Sequence, residues 1–139
     1  MDCPANAEIT DYVRALGEKC RDLQSIWLIG SRAYPDVAQT SDWDLLAFGN
    51  SNALECLRQS ADLHRHDVDC LVVTNGNDFE NAWGDRPKTG SLSLWEWQEK
   101  SDVQAEYTAA KPAPGANWGG VSLRRHLAVR LWSRAPAAL

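Results

Sequence analysis

Two short runs, Asp42 to Phe48 (DWDLLAF) and His66 to Val73 (HDVDCLVV), constrain this chain more than any other feature. Each carries two acids spaced two apart at its head and continues as an apolar stretch. Side chains alternate across a strand, so the acids of each pair share a face, about 7 Å apart along the chain. Charge at the head of an otherwise apolar strand is costly unless it is paired or meets a cation. A third apolar run, Ser25 to Ile29 (SIWLI), is stopped by Gly30 and reads as a buried strand. The three strands are expected in one small mixed sheet, where an acid of the third could complete a site begun by the second.

The segments between them suit that plan. Residues 10–23 predict a helix capped by Thr10, with Val13, Leu16, Cys20 and Leu23 as its apolar stripe and Gly17 as a weak point. Residues 31–41 are dense in turn formers. Asn50 or Ser51 caps a short helix that turns Leu54 and Leu57 inward, and Asn75-Gly76 ends the third strand. Farther on, Ser91 to Gln98 (SLSLWEWQ) alternates with period two and predicts a strand, pairing with Val103 to Thr108 across a turn at 99–102. Lys111 to Gly120 reads as a loop and Val121 to Trp132 as a basic helix. The expectation is a single domain over 1–139 of α/β (α+β) class, a small mixed sheet with helices packed on it. Its motif core covers about 10–75, and a C-terminal hairpin and tail cover about 88–139.

At 139 residues and 44% hydrophobic, the chain has enough apolar content for one core and too little length for two comfortable ones. No apolar run approaches a membrane span, and the start MDCPANAEIT lacks a basic-then-apolar leader, so no membrane partner and a soluble, cytoplasmic location are expected. A net charge of −5 and a pI near 5.1 weigh against binding long nucleic acid. They do not weigh against one nucleotide that arrives with magnesium, because the metal supplies positive charge. Cys3, Cys20, Cys56 and Cys70 never form C-x-x-C, and free thiols in a reducing compartment are expected.

Candidate chemistry gathers at the strand ends. Glycine at Gly30 permits a sharp turn and close approach of a phosphate, to which Ser31 offers a hydroxyl and an N–H. Asp42 and Asp44 offer hard oxygen ligands for two magnesium ions, which clamp the attacking and leaving oxygens of a phosphoryl transfer. Asp69 is placed to complete the metal site and take a proton from an attacking hydroxyl, with Asp67 the runner-up on the same face. His64 and His66 with the two acids after them form H-x-H-D-x-D, a pattern open to a transition metal, although histidines at a strand entry are more often plain polar residues. Arg86 or Lys88 of the DRPK segment either reaches a phosphate or lies in a solvated turn. Trp83, Trp95, Trp97, Trp118 and Trp132 suit core packing first, and stacking on a base or acceptor second.

Gly30-Ser31, ten intervening residues, then Asp42-Trp43-Asp44 resembles the G-S-x10-D-x-D signature of the minimal nucleotidyltransferases within the polymerase-β-like superfamily. GSRAY resembles that family's GSRAR, SDWDLLAF resembles its SD-x-DLLV, and the likeness covers about residues 10–75. Pro35 departs from the family pattern where a second glycine is common. The resemblance implies a nucleotidyltransferase fold. It implies that Gly30, Ser31 and Arg32 hold the phosphates of ATP or another NTP, and that Asp42, Asp44 and Asp69 bind Mg2+ and act in catalysis. It further implies transfer of AMP to a hydroxyl of a protein or small molecule, and a role as antitoxin to a HEPN-type ribonuclease toxin. The alternative is an inactive module of the same kind that binds a partner protein or a nucleotide.

Overall fold

Three segments fold as their apolar spacing predicts. In the computed structural model, which describes residues 7–30, 43–84, 87–108 and 126–134, β1 (Ser25–Ile29), β2 (Trp43–Phe48) and β3 (Val68–Val73) lie side by side. β1 runs antiparallel to β2 with Ile29 opposite Asp44, and β2 runs parallel to β3 with Asp44 opposite Asp69. A parallel neighbour requires a crossover. This is supplied by α2 (Ser51–Gln59) and a 3-10 turn at Ala61–Leu63. Asn50 caps α2, its side chain accepting the Ala53 N–H at 2.9 Å.

The first helix, α1 (Ala7–Lys19), already runs from Ala7, so Thr10 lies inside it and does not cap it. Its Ile9, Val13 and Leu16 are buried at helical spacing, with Leu23 just beyond. Together with Leu54 and Leu57 of α2 they cover the sheet face built from Ile26, Leu28, Leu45, Ala47 and Val72. Gly17 has a packing reason: the Trp132 indole lies where a Cβ would be. The helix end is satisfied from far away in sequence, because Arg134 donates to Gly17 O at 2.7 Å and to Leu23 O at 3.0 Å.

Several expectations are overturned. Residues 126–132, expected within a helix over 121–132, belong to a strand, β8 (His126–Ser133), paired with β1 on one side. Leu, Ala and Arg favour a helix locally. The buried β1, however, leaves N–H and C=O groups along its second edge that need partners, and that pairing outweighs propensity. The strand expected over 91–98 is broken. β5 (Thr89–Ser91) ends there, α3 (Leu92–Trp95) makes one turn, and Glu96 in the left-handed region (φ 52°) stops it before β6 (Gln98–Glu99). Ser91 caps that turn, its Oγ accepting Leu94 N–H at 3.3 Å. Its alternating letters mislead because Leu92 packs inward while Leu94 is 77% exposed. The expected hairpin survives in short form, β6 pairing with β7 (Gln104–Tyr107). β4 (Asp78–Asn81) and β5 were not foreseen, being short and largely polar. Lys111 to Gly120 lies outside the described residues.

The whole is therefore not the small helix-packed α/β sheet expected: α1 and α2 cover one face, but strands make up most of the described regular structure. It is a strand-rich, strongly curled half-barrel: a mixed sheet of eight described strands in the order β5-β4-β3-β2-β1-β8-β7-β6, accompanied by three short helices. Connectivity enforces the curl. Seven strand spacings laid flat would separate β5 from β6 by about 34 Å. The six residues between these edge strands reach at most about 25 Å even fully extended, and α3 shortens them further. Inside the concavity lie Trp27, Leu46, Val73, Phe79, Leu92 and Tyr107. Trp97 meets Trp27 edge-on there, at 5.3 Å.

The cysteine expectation also changes. Cys20 and Cys56 form a disulfide joining the end of α1 to α2, with Cα atoms 5.8 Å apart. Cys70 is free and buried, and Cys3 lies outside the described residues. A disulfide weakens the argument for a reducing compartment. Among the described residues no helix is long and apolar enough to cross a membrane.

Candidate functional site

The register of the central strands builds the site. Asp44 sits one step into β2 and Asp69 one step into β3, and they are direct partners in the parallel ladder. Adjacent strands lie about 4.8 Å apart. Both acids project toward the concave side, at the end of the sheet where β1 stops and β2 and β3 begin. Gly30 follows β1 with φ at +76°, and a Cβ there would run into the Asp44 carboxylate. Only glycine lets the backbone turn this way with an acid so close. The Gly30 N–H donates to the Tyr107 hydroxyl at 2.9 Å, tying the turn to β7.

These groups surround a pocket of about 220 Å³. Its acidic side is Asp44 and Asp69; its wall includes Trp95, stacked on Tyr107 with ring centres 5.0 Å apart. Lys88 supplies the cation, its Nζ 3.1 Å from Asp69 Oδ2. Like charges facing one another across a ladder repel, and the ammonium offsets that repulsion. Buried Asn81 places the lysine: its Oδ1 accepts the Lys88 N–H at 2.8 Å, its own N–H donates to Lys88 O at 3.0 Å, and its Nδ2 donates to Trp83 O at 2.8 Å.

Asp67 is placed differently from its sequence neighbour. It precedes β3 in a turn, so strand alternation does not govern it. Arg65 grips it with two bonds of 2.9 and 2.6 Å and also reaches Glu8 at 3.2 Å. The guanidinium holds the Asp67 carboxyl below the ordinary carboxylate value, and the same bond raises Arg65. Tyr12 lies under Arg65 and donates to Leu63 O at 2.6 Å; burial raises its phenol. Asp67 thus belongs to a network on the α1 side, and Asp69 lines the pocket. Cys70, between β-neighbours on the opposite face, has its thiol pushed up to about 12 by burial and then by the Asp69 charge. It packs as a neutral thiol.

Of the other sequence candidates, Ser31, Arg32, Asp42, Arg86 and Trp118 lie outside the described residues. His64 is exposed and stacks on Trp83 at 5.1 Å, and Asp67 is engaged by Arg65, so the H-x-H-D-x-D run does not converge on one point. Trp83 is core, its Nε1 donating to Leu57 O at 2.9 Å. Trp95, Tyr107 and Asn81 reach the pocket through the curl, and nothing local in the sequence marks Tyr107 or Asn81 for it. Among the described residues no group of three or more His, Cys, Asp or Glu side chains comes together. The two aspartates present are nevertheless hard oxygen donors of the kind a divalent cation such as Mg2+ takes. The chain matches no protein-family model, no curated protein and no solved structure.

Proposed function

We propose that this protein is a metal-dependent nucleotidyltransferase that moves a nucleoside monophosphate, AMP from ATP, to a hydroxyl of a protein or small-molecule acceptor. One observation carries the reading: Asp44 and Asp69 are brought into register on adjacent strands, facing one pocket beside the Gly30 turn. Two acids far apart in the chain thereby place hard oxygen ligands side by side at one end of the sheet.

Asp44 and Asp69 would hold the cation, together with Asp42 as the resemblance implies. Magnesium held there would supply positive charge to offset that of the phosphates and of the leaving pyrophosphate. Gly30 and Ser31 let the phosphates approach the backbone, and Arg32 and Lys88 add positive charge. The acceptor hydroxyl forms a bond to the α-phosphorus, the bond to pyrophosphate breaks, and Asp69 takes the hydroxyl proton. Among protein acceptors, the resemblance at GSRAY and SDWDLLAF favours a HEPN-type toxin, with this chain as its antitoxin.

The test is calorimetric titration with a non-hydrolysable ATP analogue, with and without Mg2+, on the protein and on Asp44→Asn. Magnesium-dependent binding that is lost in the variant is expected. Binding that survives unchanged in Asp44→Asn would remove the metal assignment. A second reading, an inactive module that binds a partner or a nucleotide, is favoured by Lys88 lying on Asp69. As a nucleotide binder it predicts binding without any magnesium dependence, and as a partner-binding module it predicts no binding of the analogue by either protein.

A further inference from the structure

We infer that Lys88 is a tethered counter-ion that exchanges partners: it neutralises Asp69 when the pocket holds no cation, and moves to the anionic group of the ligand when one enters. The inference rests on the nucleotidyltransferase reading of the same pocket. It concerns a step that reading leaves open, namely how two carboxylates are kept together before any metal arrives.

Three features support it. First, Lys88 lies on Asp69 at 3.1 Å inside the pocket that also holds Asp44. The position a cation would take at Asp69 is thus contested by a cation of the chain itself. Second, the bond is weak enough to yield. The side chains are 57% and 41% exposed, and exposed pairs of this kind contribute little because water screens them and holding a long side chain costs entropy. Third, the root of the lysine is fixed by backbone bonds, whereas its tip is held by one exposed ion pair. Asn81 bonds the Lys88 backbone on both its N–H and its carbonyl. An ammonium released from Asp69 therefore stays within one side-chain length of the pocket. Its flexible stem carries a compact charge suited to a phosphate oxygen.

The exchange makes two affinities move in opposite directions on one substitution. Lys88→Met keeps the stem and removes the charge. Binding of Mn2+ alone, read from the electron paramagnetic resonance of free Mn2+, is expected to tighten about two- to fivefold, because the competing cation is gone. Binding of a non-hydrolysable ATP analogue in the presence of Mn2+ is expected to weaken about tenfold, because the ligand loses a charge-assisted bond. Lys88→Arg, which keeps the charge, is expected to lie close to the unaltered protein in both arms.

A lysine that never leaves Asp69 gives a different pattern: Lys88→Met then tightens both Mn2+ and the analogue, which overturns the exchange. Unchanged affinities in both arms overturn it as well. In either case the unaltered protein still binds Mn2+ and the analogue, so the nucleotidyltransferase reading stands. An unaltered protein that takes up neither Mn2+ nor the analogue overturns that reading, and the exchange falls with it.

Discussion

Asp67 and Asp69 are two residues apart, and strand alternation alone would place them side by side. What separates them is Arg65, which closes on Asp67 before the strand begins. Its effect is measurable. The folded carboxyl of Asp67 lies below its ordinary value of 3.8, so the unfolded chain binds this proton more readily. The stabilisation is complete above that value and is lost as the pH falls through the lower folded one. Both groups are partly exposed, which limits the effect to about 1 kcal/mol or less. Urea midpoints should show the protein more stable than Asp67→Asn at pH 6, with the gap narrowing as the pH falls below 3.8. A gap that stays constant over that range would mean Arg65 does not hold the carboxylate. At Asp69 the equivalent cation is Lys88, which comes from a separate segment and makes a single contact of 3.1 Å.

Among the elements, those legible in the sequence are those whose signals are local. β1, β2 and β3 are apolar runs with glycine or turn residues at their ends, and α2 has Asn50 as a cap with Leu54 and Leu57 facing inward. Gly30, Asp44 and Asp69 could be assigned to one site because each lies at the end of such a run. β8 was illegible because its letters favour a helix and its partner is β1, met only after folding. Tyr107 and Asn81 reach the pocket through curvature, which no window of sequence records. The bridge between Cys20 and Cys56 was hidden for the same reason, since it needs α1 and α2 to be neighbours. It closes a loop with a sequence separation of 36. On a chain-entropy argument this contributes about 3–4 kcal/mol. Thermal melts should fall on adding reductant, whereas Cys56→Ser should melt near the reduced protein and ignore reductant. Identical melts of the oxidised and reduced protein would show that the bridge contributes nothing.

At the scale of the molecule, the curl joins parts that a flat sheet would keep independent. β5 and β6 are opposite edges, yet α3 links them directly and Leu92 packs into the concave core. Leu92→Ala should cost about 2–4 kcal/mol, as removing a buried leucine does. In hydrogen exchange the backbone amides of β5 and β6 should lose protection together, as one cooperative unit. Loss confined to β5 would mean that the two edges are uncoupled and that α3 is only a connection.

β1 has a consequence for how the protein is made. One of its edges is taken by β2, close in sequence, and the other by β8, the last strand described. While the ribosome is still working through the middle of the chain, β1 is a ready apolar strand with an open side. An open strand edge recruits other strands. For that interval the nascent protein is a candidate for chaperone capture or for pairing with its neighbours on the same message. The arrival of β8 ends that exposure and lets β7 swing Tyr107 onto Gly30. The step that protects the chain is therefore also the one that completes its pocket.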